Sequence, residues 1–196
     1  DVAPSRGLGD VYKRQGHISA EIRLPQALQA GLLTPFQYLC ITDNTDLSDD
    51  SLWNGNKYNV ERLSDRLCNK ERVSRIVDAL HKYLADEYTC RALCFCVNKR
   101  HAEFMAKQLS LYGFNAHSLT SDTPNDVRRK LTKDLREGNI HYLCVVDVFN
   151  EGIDIPEVDT VLFLRPTDSL TIFLQQLGRG LRKAPGKEYV LSLIHI

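Results

Sequence analysis

The sequence lacks both a charge excess and a long apolar run. Its 25 Lys and Arg residues balance 25 Asp and Glu residues, so the formal net charge is zero. A neutral total does not indicate a polyanionic partner, and any contact with nucleic acid must come from a local basic patch. No apolar run approaches the roughly 18 to 20 residues that a membrane-spanning helix needs, so we expect no membrane partner.

The sequence also has no C-x-x-C pair and no histidines at metal-ligand spacing. Its six cysteines are Cys40, Cys68, Cys90, Cys94, Cys96 and Cys144. Three of them lie in or beside apolar runs, which favours buried free thiols in a reducing cytosol. We therefore predict no metal site and a cytoplasmic location.

The two ends show no hydrophobic periodicity. Residues 1–15 contain neither the apolar core of a signal peptide nor a recognisable helix or strand. We interpret them as a non-native or disordered leader, and we regard residues 192–196 as doubtful.

Residues 16–90 form an entry segment that is expected to pack on the domain that follows. The patterns predict strand His17–Leu24, a helical turn over Pro25–Ala30, strand Phe36–Ile41, loop Thr42–Asn59, and helical residues Val60–Asp86 in two pieces. The loop holds the single tryptophan, Trp53, which we interpret as a local packing anchor rather than a ligand platform.

From residue 91 to the end, strands and helices alternate with short connections. Strands are predicted at 92–97, 115–119, 141–146, 160–164 and 187–191, and helices at 99–112, 123–137 and 169–182. The first strand is continuously apolar, as expected of a strand covered on both faces. The alternation predicts an α/β fold with a mostly parallel sheet, and residues 91–196 are assigned to it as one domain.

Polar residues follow three of these strands. In an open parallel sheet, ligands bind beyond the carboxyl ends of the strands. Asn98 and Lys99 follow the first strand, Thr120 and Ser121 follow the second, and the segment 147–156 follows the third. The first two pairs could hold phosphates, but for each pair taken alone the pattern favours a helix cap and a turn, respectively.

The segment after the third strand is more specific. Gly152 permits a close backbone approach, and Asp154 could accept hydrogen bonds from a sugar diol. An acidic loop without a ligand is the alternative.

The helix predicted over Ser169–Arg182 combines an apolar stripe with a row of cations. Leucine or phenylalanine at 170, 173, 174, 177 and 181 has the spacing of one buried face. At roughly 100° per residue, Gln175, Arg179 and Arg182 fall together on the opposite side. Guanidinium groups match phosphate oxygens two at a time, so the row suits a polyphosphate. The solvent-exposed face of an ordinary amphipathic helix would have the same sequence pattern.

Three segments together resemble a known family. Residues 95–104, 146–156 and 175–182 look like motifs IV, V and VI of superfamily 2 helicases, in the right order and at plausible separations. The stretch 147–182 is similar to DEAD/DEAH-box helicases related to type III restriction subunits. The resemblance covers residues 16–190 and implies the second, C-terminal RecA-like lobe of a two-lobe motor, a three-layer domain with helices on both faces of the sheet.

The resemblance also implies roles for the residues singled out above. Arg179 and Arg182 would act as arginine fingers on the γ-phosphate of ATP, with Gln175 orienting them. Gly152 and Asp154 would contact the nucleotide. Nucleic-acid phosphates would be held by Asn98, Lys99, Thr120 and Ser121, with DNA favoured over RNA as the partner.

Two positions depart from the family pattern. Val146 stands where many relatives have a threonine that contacts the nucleic-acid backbone, and Glu151 stands where many have arginine. Both weaken the transfer of individual nucleic-acid contacts, although not the assignment of the lobe.

The phosphate-binding motif G-x-x-x-x-G-K-[ST] and the motif D-E-x-[DH] are both missing from the sequence. ATP and Mg²⁺ would therefore be bound mainly by the N-terminal RecA-like lobe of the same parent chain. We expect the 196-residue chain to be inactive alone. The alternative is a solitary RecA-like module that binds nucleic acid or a partner without catalysis.

Overall fold

The computed structural model describes residues 24–42, 45–55, 57–146, 155–166 and 169–195. The chain divides into two compact units, residues 1–33 and 34–196. In the first unit, helix α1 (Leu24–Gln29) ends in a turn where Gly31 has a φ of 64°, a conformation that glycine adopts without strain. The strand predicted at 17–24 lies outside the described residues apart from Leu24, which is helical. No described helix combines the length and the apolar character needed to cross a membrane.

A parallel sheet of six strands forms the centre of the second unit. In chain order its strands and those of a small hairpin are β1 (Phe36–Ile41), β2 (Trp53–Asn54), β3 (Lys57–Tyr58), β4 (Ala92–Cys96), β5 (Ala116–Leu119), β6 (Tyr142–Val146), β7 (Thr160–Phe163) and β8 (Val190–His195). The order across the sheet is β1-β8-β7-β4-β6-β5, and every neighbouring pair is parallel. β2 and β3 pair only with each other, antiparallel. The predicted α/β class is confirmed.

Helices cover both faces of this sheet. They are α2 (Val60–Leu67), α3 (Lys70–Tyr83), α4 (Lys99–Leu111), α5 (Asn125–Glu137) and α6 (Leu170–Gly180). On one face, α3 and α4 bury Ile76 and Met105 in a cluster with alternate residues of β4, β6, β7 and β8. On the other face, Phe173 of α6 contacts Phe163 of β7, with ring centroids 4.9 Å apart. The three-layer RecA-like arrangement is therefore confirmed.

Two differences from the sequence-based boundaries change the description of the fold. The predicted loop 42–59 contains the β2–β3 hairpin, in which Trp53 is the partner of Tyr58. The last strand begins at Val190 rather than Lys187 and continues to His195. Of the residues regarded as doubtful, 192–195 therefore pair with β1, and 192–194 also pair with β7. Ser192 in this strand is fully buried. A polar residue at such a position interrupts the apolar run by which a covered strand is predicted from the sequence.

All six cysteines are free thiols, and four of them are buried, at positions 90, 94, 96 and 144. Within the described part of the chain, no group of His, Cys, Asp or Glu is arranged to hold a metal ion. The four buried cysteines therefore serve as small apolar residues in the core.

Candidate functional site

The strand ends singled out in the sequence meet at one edge of the sheet. β4, β6 and β5 are neighbours and parallel, so the residues that follow them lie along the same carboxyl edge. Asn98 begins the connection after β4, and Thr120 and Ser121 begin the one after β5. Gly152 and Asp154 follow β6 but belong to residues 147–154, outside the described residues.

Asn98 serves as the N-cap of α4. Its Oδ1 accepts hydrogen bonds from the backbone N–H of His101 at 3.0 Å and from the hydroxyl of Ser64 at 2.8 Å. Its Nδ2 donates to Glu61 Oε1 at 3.4 Å. The side chain thus ties α4 to α2 and orients the first N–H groups of α4 towards the carboxyl edge. Contact between Asn98 and nucleic acid stays a prediction.

Lys99 is exposed and forms an ion pair with Asp122, in the turn after β5. Glu103 Oε1 also lies near the Lys99 ammonium, at 4.0 Å. The hydrogen bond to Asp122 raises the pKa of Lys99, and the same bond, with one from Ser121, lowers the pKa of Asp122. The pair bridges the ends of β4 and β5 across the intervening β6.

Thr120 and Ser121 differ in exposure. Thr120 is buried, and its backbone N–H donates to Thr123 Oγ1 at 3.0 Å. Ser121 is exposed and donates to Asp122 Oδ1 at 3.0 Å. Of the two hydroxyls, that of Ser121 lies in contact with solvent, beside the ion pair of Lys99.

Two buried polar side chains make hydrogen bonds to the backbone just beyond β7 and β4, at this carboxyl edge. Neither was predicted from the sequence. Arg72 of α3 donates to the carbonyl of Leu164 at 3.1 Å, just beyond β7. His101 Nδ1 accepts from the backbone N–H of Val97 at 3.2 Å, just beyond β4. Burial, with a further contribution from the charge of Arg72, lowers the pKa of His101 to about 3, so its ring is neutral.

The helix that carries the arginines is rotated relative to the predicted stripe. Phe173, Gln176, Leu177 and Gly180 face the sheet, and Gln176 is completely buried. Leu170 and Leu174, expected to be buried, are 72% and 39% exposed. The prediction was wrong for these two leucines because the face that packs on the sheet is set by residues 173, 176, 177 and 180.

The residues of the predicted polar row differ in exposure. Gln175 is exposed, Arg179 is half-buried, and Arg182 is exposed in the turn beyond the last helical residue, Gly180. Because α6 connects two parallel strands, it runs back from the carboxyl edge towards the amino edge. Arg182 therefore lies at the opposite edge from Asn98 and Lys99, and the structure does not bring the two sets of residues together.

The end of α6 is held by Lys187, which the sequence analysis placed in a strand. Its ammonium donates to three carbonyls, those of Gly180 at 2.5 Å, Arg182 at 2.9 Å and Pro156 at 2.7 Å. Thr34 adds a hydrogen bond from its hydroxyl to the Arg182 carbonyl at 3.2 Å. Carbonyls at a helix end need such partners, and a lysine ammonium has three N–H donors to offer. Burial lowers the pKa of Lys187 to about 8.

A cleft of about 610 Å³ opens at the amino edge, beside Lys187. It is lined among others by Arg91, Glu157 and Asp159. Asp159 accepts hydrogen bonds from the backbone N–H of Arg91 at 3.0 Å and from Thr160 Oγ1 at 2.8 Å, and burial raises its pKa. These bonds join the starts of β4 and β7, which is sufficient to explain the half-buried carboxylate structurally.

A comparison with protein families gives one match. The model described as helicase conserved C-terminal domain matches residues 71–184, which includes β4 to β7, the carboxyl-edge residues and α6.

Among curated proteins, the chain is similar to a 51.5 kDa protein of Lactococcus phage (isolate 7-9), with 31% identity over 150 residues, 76% of this chain and 32% of the relative. It is 29% identical over 124 residues to the putative ATP-dependent helicase IRC3 of Saccharomyces cerevisiae, covering 63% of this chain and 18% of that protein. The chain thus spans about a third or less of the length of these relatives.

Among solved structures, a fragment of a putative HsdR subunit of a type I restriction enzyme from Vibrio vulnificus YJ016 aligns with a TM-score of 0.73 at 18% identity. The alignment covers 99% of this chain and 38% of that one. The E. coli DEAD-box protein SrmB aligns with a TM-score of 0.53 at 22% identity, covering 82% and 78%. At these identities the likeness concerns the fold.

Proposed function

Because this chain belongs to the helicase conserved C-terminal domain family, we propose that it is the C-terminal motor lobe of an ATP-dependent nucleic-acid helicase or translocase. The family match over residues 71–184, on a parallel RecA-like sheet, carries the proposal. A relative named as an ATP-dependent helicase supports ATP as the nucleotide. Since the chain spans a fraction of that relative, the activity is assigned to a longer parent protein.

In this proposal Arg179 and Arg182 are arginine fingers. They neutralise charge on the γ-phosphoryl group during its transfer to water, and Gln175 orients them. The rigid support of α6 favours such a role, because Lys187 holds the last carbonyls of the helix while Leu177 and Gly180 pack on the sheet. The N-terminal RecA-like lobe of the parent chain supplies most of the site for ATP and Mg²⁺, and Gly152 and Asp154 contribute nucleotide contacts.

The carboxyl edge is proposed as half of the nucleic-acid track. Asn98 orients the N-terminus of α4, while Lys99 and Ser121 supply a cation and an exposed hydroxyl group for phosphates. Thr120 was also predicted to hold a phosphate, but its side chain is buried, so its hydroxyl is not assigned to the track. A phosphate that binds Lys99 has to compete with Asp122, with which the ammonium is paired. We propose DNA rather than RNA as the partner, on the resemblance of residues 147–182 to restriction-related helicases.

The arginine fingers are tested in the parent protein by steady-state ATP turnover, with and without single-stranded DNA or RNA. Arg179→Ala and Arg182→Ala are each expected to lower kcat by about 10³-fold or more, the effect of losing a finger. Arg129→Ala is the matched control, because Arg129 is an exposed arginine of α5. It is expected to leave kcat unchanged.

Full turnover by the Arg179→Ala and Arg182→Ala parent proteins would contradict the catalytic assignment. Appreciable ATP hydrolysis by the 196-residue chain alone, abolished by Arg179→Ala, would contradict the dependence on an N-terminal lobe. A parent protein that binds nucleic acid but never hydrolyses ATP would favour a non-catalytic binding module.

A further inference from the structure

The β2–β3 hairpin carries two aromatic rings that are in contact. The ring centroids of Trp53 and Tyr58 lie 4.0 Å apart, with 31° between the ring planes. Tyr58 packs against a buried apolar cluster formed by Leu63, Leu67 and Val97. Trp53 lies outside that cluster and is 39% exposed. Tyr58 therefore anchors the pair, and the indole ring of Trp53 is left accessible to solvent.

The backbone next to the rings is firmly held. Leu52, directly before Trp53, is buried, and its carbonyl accepts from the N–H of Asn59 at 2.7 Å. The Ser51 carbonyl accepts from the guanidinium of Arg62 on α2, also at 2.7 Å. A side chain mounted in this way loses little conformational freedom when a ligand binds to it.

The aromatic pair lies beside the proposed track. Val97, which Tyr58 helps to cover, directly precedes Asn98. The helix that begins next to Tyr58, α2, makes hydrogen bonds to the Asn98 side chain through Ser64 and Glu61. The hairpin and the N-terminus of α4 therefore belong to the same corner of the carboxyl edge.

The cations of α2 that reach the segment before Trp53 are already engaged. The guanidinium of Arg62 donates to the Ser51 carbonyl, and that of Arg66 pairs with Asp49 at 3.5 Å. Such surroundings give little attraction for a phosphate group. A flat, exposed indole instead offers a surface for another flat ring, and base–aromatic stacking tolerates any sequence because every base has a π-face.

We propose that Trp53 is a stacking platform for a base of single-stranded nucleic acid, at the end of the track that begins at Asn98 and Lys99. The inference rests on the proposed nucleic-acid track, which it extends by one subsite. It assigns the two subsites different chemistry: Lys99 takes a phosphate, and Trp53 takes a base.

The unmodified chain allows a direct test, because Trp53 is its single tryptophan. Intrinsic fluorescence is followed while oligo(dT) of about 12 nucleotides, within the size range of such sites, is added. A base stacked on the indole is expected to quench the emission in a saturable manner. Fluorescence anisotropy of a dye-labelled oligonucleotide gives the affinity independently.

Variants separate stacking from general binding. Trp53→Ala is expected to weaken oligonucleotide binding about 5- to 150-fold, and Trp53→Phe, which keeps an aromatic ring, by much less. The matched control is Tyr112→Ala, because Tyr112 is 45% exposed but follows α4 at the amino edge. It is expected to leave the affinity unchanged.

Salt distinguishes the two subsites. The loss caused by Lys99→Ala should shrink as salt is raised, because phosphate contacts act through counterion release. The loss caused by Trp53→Ala should persist, because stacking does not depend on charge.

Binding that Lys99→Ala weakens and Trp53→Ala does not would overturn the platform and leave the track standing. An absence of quenching while anisotropy reports binding would overturn the platform in the same way. If Trp53→Ala weakens oligonucleotide binding and Lys99→Ala does not, the platform is supported and the role of Lys99 is contradicted. A chain that binds no oligonucleotide would contradict both.

Discussion

For Asn98 and Lys99, the local sequence predicts the location in the fold but not the bonding partners. Both were predicted to be site residues because they are polar and follow a predicted strand, and both lie at the carboxyl edge. Their bonding partners, Ser64 and Asp122, are 34 and 23 residues away in the sequence. A hydrogen bond over such a separation depends on the packing of α2 and of the turn after β5, which the local pattern does not contain.

The buried His101 gives the pH dependence that we expect of this unit. Its pKa is about 3 when folded, against about 6.5 for an exposed histidine. Between these values the unfolded chain binds a proton that the folded chain does not, so the free energy of unfolding falls as the pH falls. For this one group we predict a loss of about 2 kcal/mol between pH 7.5 and pH 5.

The measurement is urea unfolding of the unmodified chain and of His101→Gln at both pH values. The variant lacks the titrating ring, and its stability should depend less on pH by about that amount. His117→Gln, at an exposed position, serves as the control and should keep the full dependence. Equal pH dependence in the unmodified chain and in His101→Gln would show that His101 is not responsible.

At the scale of the element, α6 shows how a sequence pattern can be correct in type and wrong in orientation. A helix was predicted at 169–182 and is found at Leu170–Gly180. Its buried face includes Gln176 and Gly180, which a count of apolar residues leaves out. Gly180 is included because the helix approaches the sheet closely there: a Cβ at this position would lie 2.9 Å from Val161 Cγ2 and 3.2 Å from Val190 Cγ1.

Alanine at the two glycines of α6 should therefore have opposite effects. Gly180→Ala is expected to destabilise the chain by about 1 to 3 kcal/mol, because two buried, β-branched valines have to move. Gly178→Ala is the matched control, since a Cβ there meets nothing within 4 Å. It should stabilise the chain by about 0.5 to 1 kcal/mol through helix propensity.

Thermal and urea unfolding of both variants measure the difference. If alanine stabilises the chain as much at 180 as at 178, then α6 does not contact the sheet as closely as described.

At the scale of the whole molecule, the sheet depends on its last strand. β8 lies between β1 and β7, so it is an interior strand although it is the last in the sequence. It buries Leu191 and Leu193 almost completely. Without it, β1 at the edge would lose the strand with which it pairs.

Removal of residues 191–196 is therefore expected to abolish cooperative unfolding, as followed by circular dichroism during heating. Removal of residues 1–15, which the sequence predicts to be a leader, is the corresponding control and should leave the midpoint unchanged. A truncated chain that retains the original transition would show that β8 is not essential to the sheet.

The sequence by itself determined the class of the fold and the identity of the family. Continuous apolar strands alternating with amphipathic helices permit few arrangements other than a covered parallel sheet. The motifs at 95–104, 146–156 and 175–182 pointed to the helicase family because each is a short continuous segment, which can be recognised without knowledge of the packing. The rotation of α6, the cap at Asn98, the Lys187 ammonium at the helix end and the exposed Trp53 were decided only by the tertiary structure. Each depends on contacts between segments far apart in the chain, and a residue has the same local sequence whether such a contact forms or not.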